Sequence, residues 1–562
     1  MPLGRWGSMR KQGYLLWAAV AALFVLVVMP LAFVGLQAVF PRLAEGSLAQ
    51  PFSHFITTFN DPELIALTWN TLRLGMAVVL AAALIGIPLG ALRGLFSTPM
   101  ARLWDVMMLI PFMIPPYISA LGWITVLQPN GYLQRLLGVN AGAFLFSFWG
   151  VVFVMTLNVL PVVYFAVSRG MEAAGGRLAA VGRVCGAGAW RSFFSITLPL
   201  AIPSVAASLL LVFAMAIEEY GTPAALAANA GFYVLVTGIE QRFNEWPIDL
   251  PGASLLSLIL VFLAALAFFL QRSLAMRRNV EITTGKPMLA EKAALGRWRW
   301  PVVGVFAAVV GITTLLPLFA IAATSFSRTL SGGLTWENMG LTHYQAIFRV
   351  GGDAWSALAT SISLGVGAAL LTGLVGMVVA YSVVKTRARG RALLDAFSML
   401  PNTMPGIVVA VGLILLWNQM FWPVTPYNTW VILLLAYSCL LLPYPVRYAV
   451  AALQQVSDSL EDAARVHGAS SVRVLFQILI PVLAPSLIAA MLLVFAVASR
   501  ELVASLLLSP TGVQTVSQFI WRQFEQGSVG QGMAMSMITV MVTTSIMILV
   551  TLWMQKKRGA AG

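Results

Sequence analysis

The sequence predicts an all-α polytopic membrane protein of about twelve transmembrane helices, arranged as two parallel six-helix repeats. Three observations predict this fold class. Of 562 residues, 59% are hydrophobic and 10% charged, where soluble domains run at about 45–50% and about 25%. That balance, with a mean hydropathy of +0.88, supplies more apolar surface than a water-soluble core hides, and it excludes both a soluble enzyme and a disordered chain. The second observation is a series of apolar windows of the length that crosses about 30 Å of hydrocarbon. The third is self-similarity between the two halves of the chain.

Twelve windows qualify, near 14–36, 70–92, 104–127, 144–168, 198–217 and 252–271, then 301–324, 358–383, 395–417, 429–449, 480–499 and 531–554. The first follows Arg5, Arg10 and Lys11. Its apolar run exceeds the about 7–15 residues of a signal peptide, and no small-residue cleavage site follows, so it reads as a retained span. With the amino terminus inside, an even number of spans leaves both termini cytoplasmic. This orientation puts 26 of the 34 Lys and Arg on the cytoplasmic side against 8 of the 20 acidic residues, a balance of +18 inside and −4 outside. Such asymmetry is what the positive-inside rule demands. The stretch 272–300 with Arg272, Arg277, Arg278, Lys286, Lys292, Arg297 and Arg299, and the cluster Lys385, Arg387, Arg389 and Arg391, are therefore assigned to topology and anionic headgroups rather than to nucleic acid. Cys185 and Cys439 are too far apart in sequence and context to define a disulfide framework.

The duplication is read from aligned segments. Residues 178–199, LAAVGRVCGAGAWRSFFSITLP, match 460–481, LEDAARVHGASSVRVLFQILIP, at an offset of 282, pairing Arg183 with Arg465, Gly186 with Gly468 and Pro199 with Pro481. The same offset carries Glu219 onto Glu501. Earlier in each half the offset is 290, and LIPFMIP with Pro111 and Pro115 meets MLPNTMP with Pro401 and Pro405. Six spans per copy return the chain to its starting side, so the repeats are parallel and their pseudo-twofold axis runs along the membrane normal. The organisation is a first half over 1–271, a basic cytoplasmic linker over 272–300 and a second half over 301–562.

Between the fourth and fifth spans of each half lies a polar stretch with helical patterning, such as Leu453, Val456, Leu460, Ala464 and Val466 ahead of Gly468. Apolar positions three or four apart describe a short amphipathic helix, and the glycine permits a sharp turn after it. Such an element cannot cross the membrane and reads as a docking element. DAARVHG, followed after nine residues by Ile478 and then by Pro481, resembles the E-A-A, glycine, I-x-L-P signature of importer permeases of the ATP-binding-cassette superfamily. The second copy, 453–481, carries Glu461, Asp462, Ala463 and Ala464 before Gly468 and Pro481; the first, 171–199, is degenerate, with Ala180-Val181-Gly182 in place of E-A-A. The resemblance implies a type I importer fold, with these loops as coupling helices fitted to two copies of a separate ATPase that holds the ATP and magnesium. It also implies an extracytoplasmic solute-binding protein and a bacterial inner-membrane location. The chain itself carries no cofactor and no enzymatic chemistry on this reading. EEYGTPAAL at 218–226, YVLVTGIEQRF at 233–243 and RELVASLLL at 500–508 resemble fused double permeases of the ferric-iron type. Similar permeases for 2-aminoethylphosphonate, thiamine or a polyamine share that architecture.

For a pathway or gate the candidates are Glu218, Glu219, Arg500 and Glu501 at the ends of the fifth and eleventh spans, with Gly221 and Pro223 in the loop beyond. Charges near the membrane are costly unless they face water or a partner, and Glu219 and Glu501 are expected to face each other across the pseudo-twofold axis as an acidic mouth, or to be ordinary helix-end charges. Pro111, Pro115, Pro401 and Pro405 are candidate hinges or static kinks. Leu330-Ser331-Gly332-Gly333 resembles part of an ATPase signature, but no phosphate-binding loop accompanies it. His54, His343 and His467 are scattered, so no metal site is expected. A secondary transporter would share the span count, yet mid-span ionisable residues for ion coupling are nearly absent.

Overall fold

The computed structural model describes residues 4–53, 55, 61–174, 185–277, 292–386 and 390–560. Among them the strand-like pairing is limited to two isolated bridges, Phe96 with Ala293 and Ser327 with Met339. Helices satisfy their own backbone, which is what a hydrocarbon solvent requires. Among the described residues nine helices are long and apolar enough to cross a membrane: Tyr14–Val39, Pro62–Leu95, Phe148–Ala173, Phe193–Glu218, Leu250–Leu274, Gly296–Phe326, Asp353–Val384, Ser471–Ala498 and Val529–Val550. Three bent pairs among the described residues bring the number to twelve where each pair is counted as one span: Ala101–Met113 with Pro116–Leu137 in third place, Arg391–Thr403 with Gly406–Trp417 in ninth, and Trp430–Leu441 with Pro443–Leu453 in tenth.

Proline explains where the helices deviate. In the third span Ile114 and Pro115 are extended, with ψ of 127° and 135°, and the two pieces meet at 98°. In the ninth, Met404 and Pro405 have ψ of 116° and 141°, and the angle is 110°. A residue before proline is pushed out of the α region, and here that produces a corner rather than a kink. Pro111 lies inside the preceding helix, and Pro401 in a 3₁₀ turn. Four π-turns, Phe24–Val28, Phe193–Thr197, Gly311–Leu315 and Leu475–Leu479, each stand directly before a helix with proline as its second residue, Pro30, Pro199, Pro317 and Pro481. Each proline ring displaces the carbonyl four residues back, and the helix widens by one residue there. Pro30 and Pro317 extend the duplication to the first span of each repeat.

By packing, the chain divides into two compact units. One gathers Met1–Thr58, Arg242–Leu258 and Thr342–Gly562; the other gathers Phe59–Gln241 and Ile259–Leu341. Packing units and sequence repeats are thus different divisions, because each repeat lends its first span to the unit built on the other. The reason is visible at two repeat-related glycines. In the first unit Gly412 of the ninth span lies against Pro30, so close that an added Cβ would stand 2.5 Å from the Pro30 carbonyl oxygen. In the second unit Gly122 of the third span meets Ile321 and the Pro317 carbonyl, at 3.4 and 3.5 Å from such a Cβ. Between 271 and 301, helix of the seventh span already begins at Gly296, while the middle of the basic stretch, 278–291, lies outside the described residues.

Within each unit small residues set the helix contacts, as expected where lipid removes the hydrophobic drive between helices. Gly75 faces Phe213 and Gly86 faces Val163 in one unit; Gly365 faces Phe495 and Gly376 faces Pro445 in the other. The partners are repeat-related as well as the glycines, so the duplication extends to packing. Tyr381, Leu433, Tyr437 and Val494 lie in the buried cluster of the first unit, and Trp104, Tyr164 and Phe306 in that of the second.

Candidate functional site

The second loop is built on a short helix, Asp458–Val466, with Asp458 and Glu461 in its first turn, where carboxylates favour the positive end of a helix. Lys385, at the end of the eighth span, holds this helix in place. Its Nζ lies 2.6 Å from Asp458 Oδ1 and 3.6 Å from Glu461 Oε1 and donates to the Val456 carbonyl at 3.0 Å. The Lys385 and Glu461 side chains are only 7% and 6% exposed, while Asp458 is open to solvent. Asp462 and Ala463 are exposed and Ala464 is half-buried. Leu453 is buried and Val456 half-buried, but Leu460 and Val466 point outward at 40% and 85% exposure. The predicted apolar face is therefore split: its first part anchors the loop, and its last part leaves an apolar surface beside Asp462.

Gly468 then turns the chain with φ +80°, a conformation that a side chain strains. Ser470 caps the next helix by accepting the Arg473 N–H, and the π-turn Leu475–Leu479 leads to Pro481. In the first loop, residues 175–184 lie outside the described residues, and Arg183 with them. From Cys185 onward the plan repeats: Gly186 has φ +86°, a short helix spans Ala189–Ser192, and the π-turn Phe193–Thr197 precedes Pro199.

The acidic residues beyond the fifth and eleventh spans form a second matched pair. Glu219 follows directly on the fifth span; its carboxylate accepts the Thr222 N–H at 3.0 and 3.1 Å and so caps the short helix Gly221–Leu226. Glu501 accepts the Ala504 N–H at 3.2 Å and caps Val503–Leu508 in the same way. Each carboxylate is thus turned into its own unit as a helix cap. Glu218 is the last residue of its span and half-buried, as is Arg500 beside Glu501. The capped helices pack on the corners of the broken spans. A Cβ on Gly221 would lie 2.6 Å from Tyr117 Cβ, and one on Gly406 would lie 3.6 Å from Glu501 Oε1 and 3.9 Å from Val503. Pro223 is buried in the first of these helices. Pro115 and Pro405 therefore shape the surfaces on which the acidic helices sit.

Two hydroxyls that the sequence reading passed over complete each corner. Thr71 Oγ1 accepts the Leu235 N–H at 2.8 Å, and Ser361 Oγ accepts the Val516 N–H at 2.8 Å. Each satisfies the first residue of a second short helix, Leu235–Asn244 or Val516–Glu525. They occupy equivalent positions at the 290 offset, a signal that aligning the second and eighth spans would have found. In the second corner Tyr437 and Ser505 hydroxyls meet at 2.7 Å, and Gln518 reaches the Ser505 carbonyl at 2.8 Å. Leu330–Gly333 is an ordinary turn gathered around Asn338, whose amide donates to the carbonyls of Thr329 and Gly333. Among the described residues no group of three or more His, Cys, Asp or Glu is placed to hold a metal.

Comparison with known proteins bears on these two matched sites together. The profile of the family described as "Binding-protein-dependent transport system inner membrane component" matches twice, at residues 82–280 and 372–558. The ferric transport system permease protein FbpB of Actinobacillus pleuropneumoniae is 24% identical over 85% of this chain and 70% of its own length. The Fe(3+)-transport system permease protein FbpB 2 of Haemophilus influenzae is 23% identical over 82% of this chain and 84% of its own. A putative 2-aminoethylphosphonate transport system permease protein, PhnV of Salmonella typhimurium, is 27% identical over 43% of this chain and 91% of its own length.

Proposed function

Since the chain belongs to the family of binding-protein-dependent transport system inner membrane components, we propose that it is the permease of an ATP-driven importer and that its cargo is ferric iron. The observation that carries the ATP-driven reading is the matched pair of loops, each with a left-handed glycine and a proline-led π-turn at the foot of a span. A loop so built is stiff at both ends: the turn is fixed by glycine geometry, and the span begins at a defined joint. Leu460, Asp462 and Val466 present a mixed apolar and acidic face at the second loop, which suits the groove of an ATPase subunit. Two loops call for two ATPase copies, which would carry ATP, magnesium and the hydrolytic residues. Movement of an ATPase then reaches the fifth and eleventh spans through the π-turns, and those spans end at Glu218 and Ala498, just before Glu219 and Glu501. The acidic corners sit where a span-length displacement becomes a movement of short capped helices, which makes them gate elements for alternating access.

Cargo identity rests on the two ferric relatives named above, which match more than four-fifths of the chain, where the aminoethylphosphonate relative matches under half. The family description supports delivery by an extracytoplasmic binding protein, and the charge asymmetry supports cytoplasmic termini. The experiment is co-purification with the ATPase encoded for this system. Gly468→Val and Asp462→Lys are expected to lose the ATPase or to uncouple its hydrolysis from uptake; unimpaired transport in both variants refutes the lever assignment.

A further inference from the structure

The described part of the stretch between the repeats is fastened to the fold at a particular place. Lys292 Nζ donates to the Arg93 carbonyl at 3.1 Å and lies 3.5 Å from Glu172 Oε1. Its neighbour Ala293 donates its N–H to the Leu95 carbonyl at 3.0 Å and accepts the Ser97 N–H at 2.9 Å. Leu295 packs against the buried cluster of Leu89, Trp104, Tyr164 and Phe306. Side chain, backbone and apolar contact thus tie this strap to the end of the second span and to the last turn of the fourth. Glu172 stands at the very start of the first coupling loop, 171–199.

The second repeat shows what such a tie does. There Lys385 takes one backbone carbonyl and the carboxylates of Asp458 and Glu461. At the 290 offset the position of Lys385 is Leu95 in the first repeat, and at the 282 offset Asp458 and Glu461 become Gly176 and Ala179. Cation and anions have disappeared together. Lys292, from outside either repeat, restores the arrangement with the same kinds of partner: the carbonyl of Arg93, two residues before Leu95, and the carboxylate of Glu172. We infer that Lys292 is a positioning residue of the first coupling loop, the linker supplying in place of Leu95 the brace that Lys385 supplies to the second. This inference rests on the proposed role of both loops as ATPase docks. It gives the linker a part in coupling rather than a tethering role alone, and it accounts for a loop that keeps its glycine and proline while losing the counterparts of Asp458 and Glu461.

The test is equilibrium binding of the ATPase to the full-length permease in lipid nanodiscs, resolving the two sites. Lys292→Ala is expected to weaken one site by about fivefold, the scale of a partly exposed ion pair, and to leave the other unchanged. Lys292→Arg retains wild-type affinity, and the exchange Lys292→Glu with Glu172→Lys recovers the loss that either single change causes. Gly468→Val weakens the other site. A Gly468 effect with both affinities unchanged in Lys292→Ala, or a charge exchange that recovers nothing, overturns the inference and leaves the docking reading standing. Absence of any effect from Gly468→Val overturns the docking reading itself, and the inference with it.

Discussion

Replacing Lys385 by alanine isolates the contact that fixes the helix Asp458–Val466. Glu461 is 6% exposed and has Lys385 at 3.6 Å, whereas Asp458 is 85% exposed and can turn to water. Removing the cation therefore acts almost entirely through Glu461. Breaking a fully buried pair from one side costs about 3–5 kcal/mol; relaxation of a surface loop toward solvent brings the figure here to about 2–3 kcal/mol. The helix Asp458–Val466 has nine residues, fewer than the about 12–15 that persist without tertiary support, so this cost appears as local opening. An opening constant raised roughly 30- to 150-fold follows. Amide hydrogen exchange in nanodiscs reads it directly: peptides covering 458–466 exchange faster in Lys385→Ala, and peptides from the middle of the eighth span do not change. Lys385→Met with Glu461→Met, which removes both charges of the buried pair, restores most of the protection. Unaltered exchange at 458–466 in Lys385→Ala, or no recovery in the double variant, refutes the bracing role.

The same substitution at repeat-related positions separates packing from sequence. Gly412→Ala drives a Cβ to 2.5 Å from the backbone oxygen of Pro30, whereas Gly122→Ala meets its nearest atom at 3.4 Å. The first is expected to cost about 1–3 kcal/mol and to lower the thermal midpoint by roughly 2–6 °C, and the second to be near neutral; equal shifts in a fluorescence-detected melt contradict the packing described. Ser361→Ala leaves the buried Val516 N–H without its acceptor, a loss of about 1–3 kcal/mol, while Ser361→Thr, which reproduces the Thr71 arrangement, keeps stability. A melt in which alanine and threonine variants coincide removes the hydroxyl latch.

Fold class, span number and the existence of two repeats were legible because they depend on local quantities: apolar run length, the side on which Lys and Arg fall, and glycine and proline at fixed offsets. The proline positions were legible as interruptions, but their outcome was not. Pro115 and Pro405 make corners because Pro116 and Gly406 restart a helix in a new direction, while Pro161 lies within a continuous helix and its counterpart Pro443 opens a bend of 46°. Exchange of the first spans between packing units leaves no mark on hydropathy, since each span is equally apolar wherever it packs. At the candidate site, Gly186, Gly468, Glu219 and Glu501 stood out by repetition. Lys385 and Lys292 did not, because topology accounts for a basic residue near a span end without asking what it touches; their partners are 73 and 120 residues away. Thr71 and Ser361 were hidden inside long apolar helices, where a hydroxyl reads as filler.

The central claim is that transport through this chain is powered by ATP at the two loops. The measurement that tests it most directly is uptake of radiolabelled ferric iron into proteoliposomes holding the permease, with ATPase and ATP on the loop side and the iron-loaded binding protein on the other. Accumulation that requires ATP hydrolysis and vanishes without the binding protein is the expected result. Accumulation that follows an imposed ion gradient with neither ATP nor ATPase present would contradict the account.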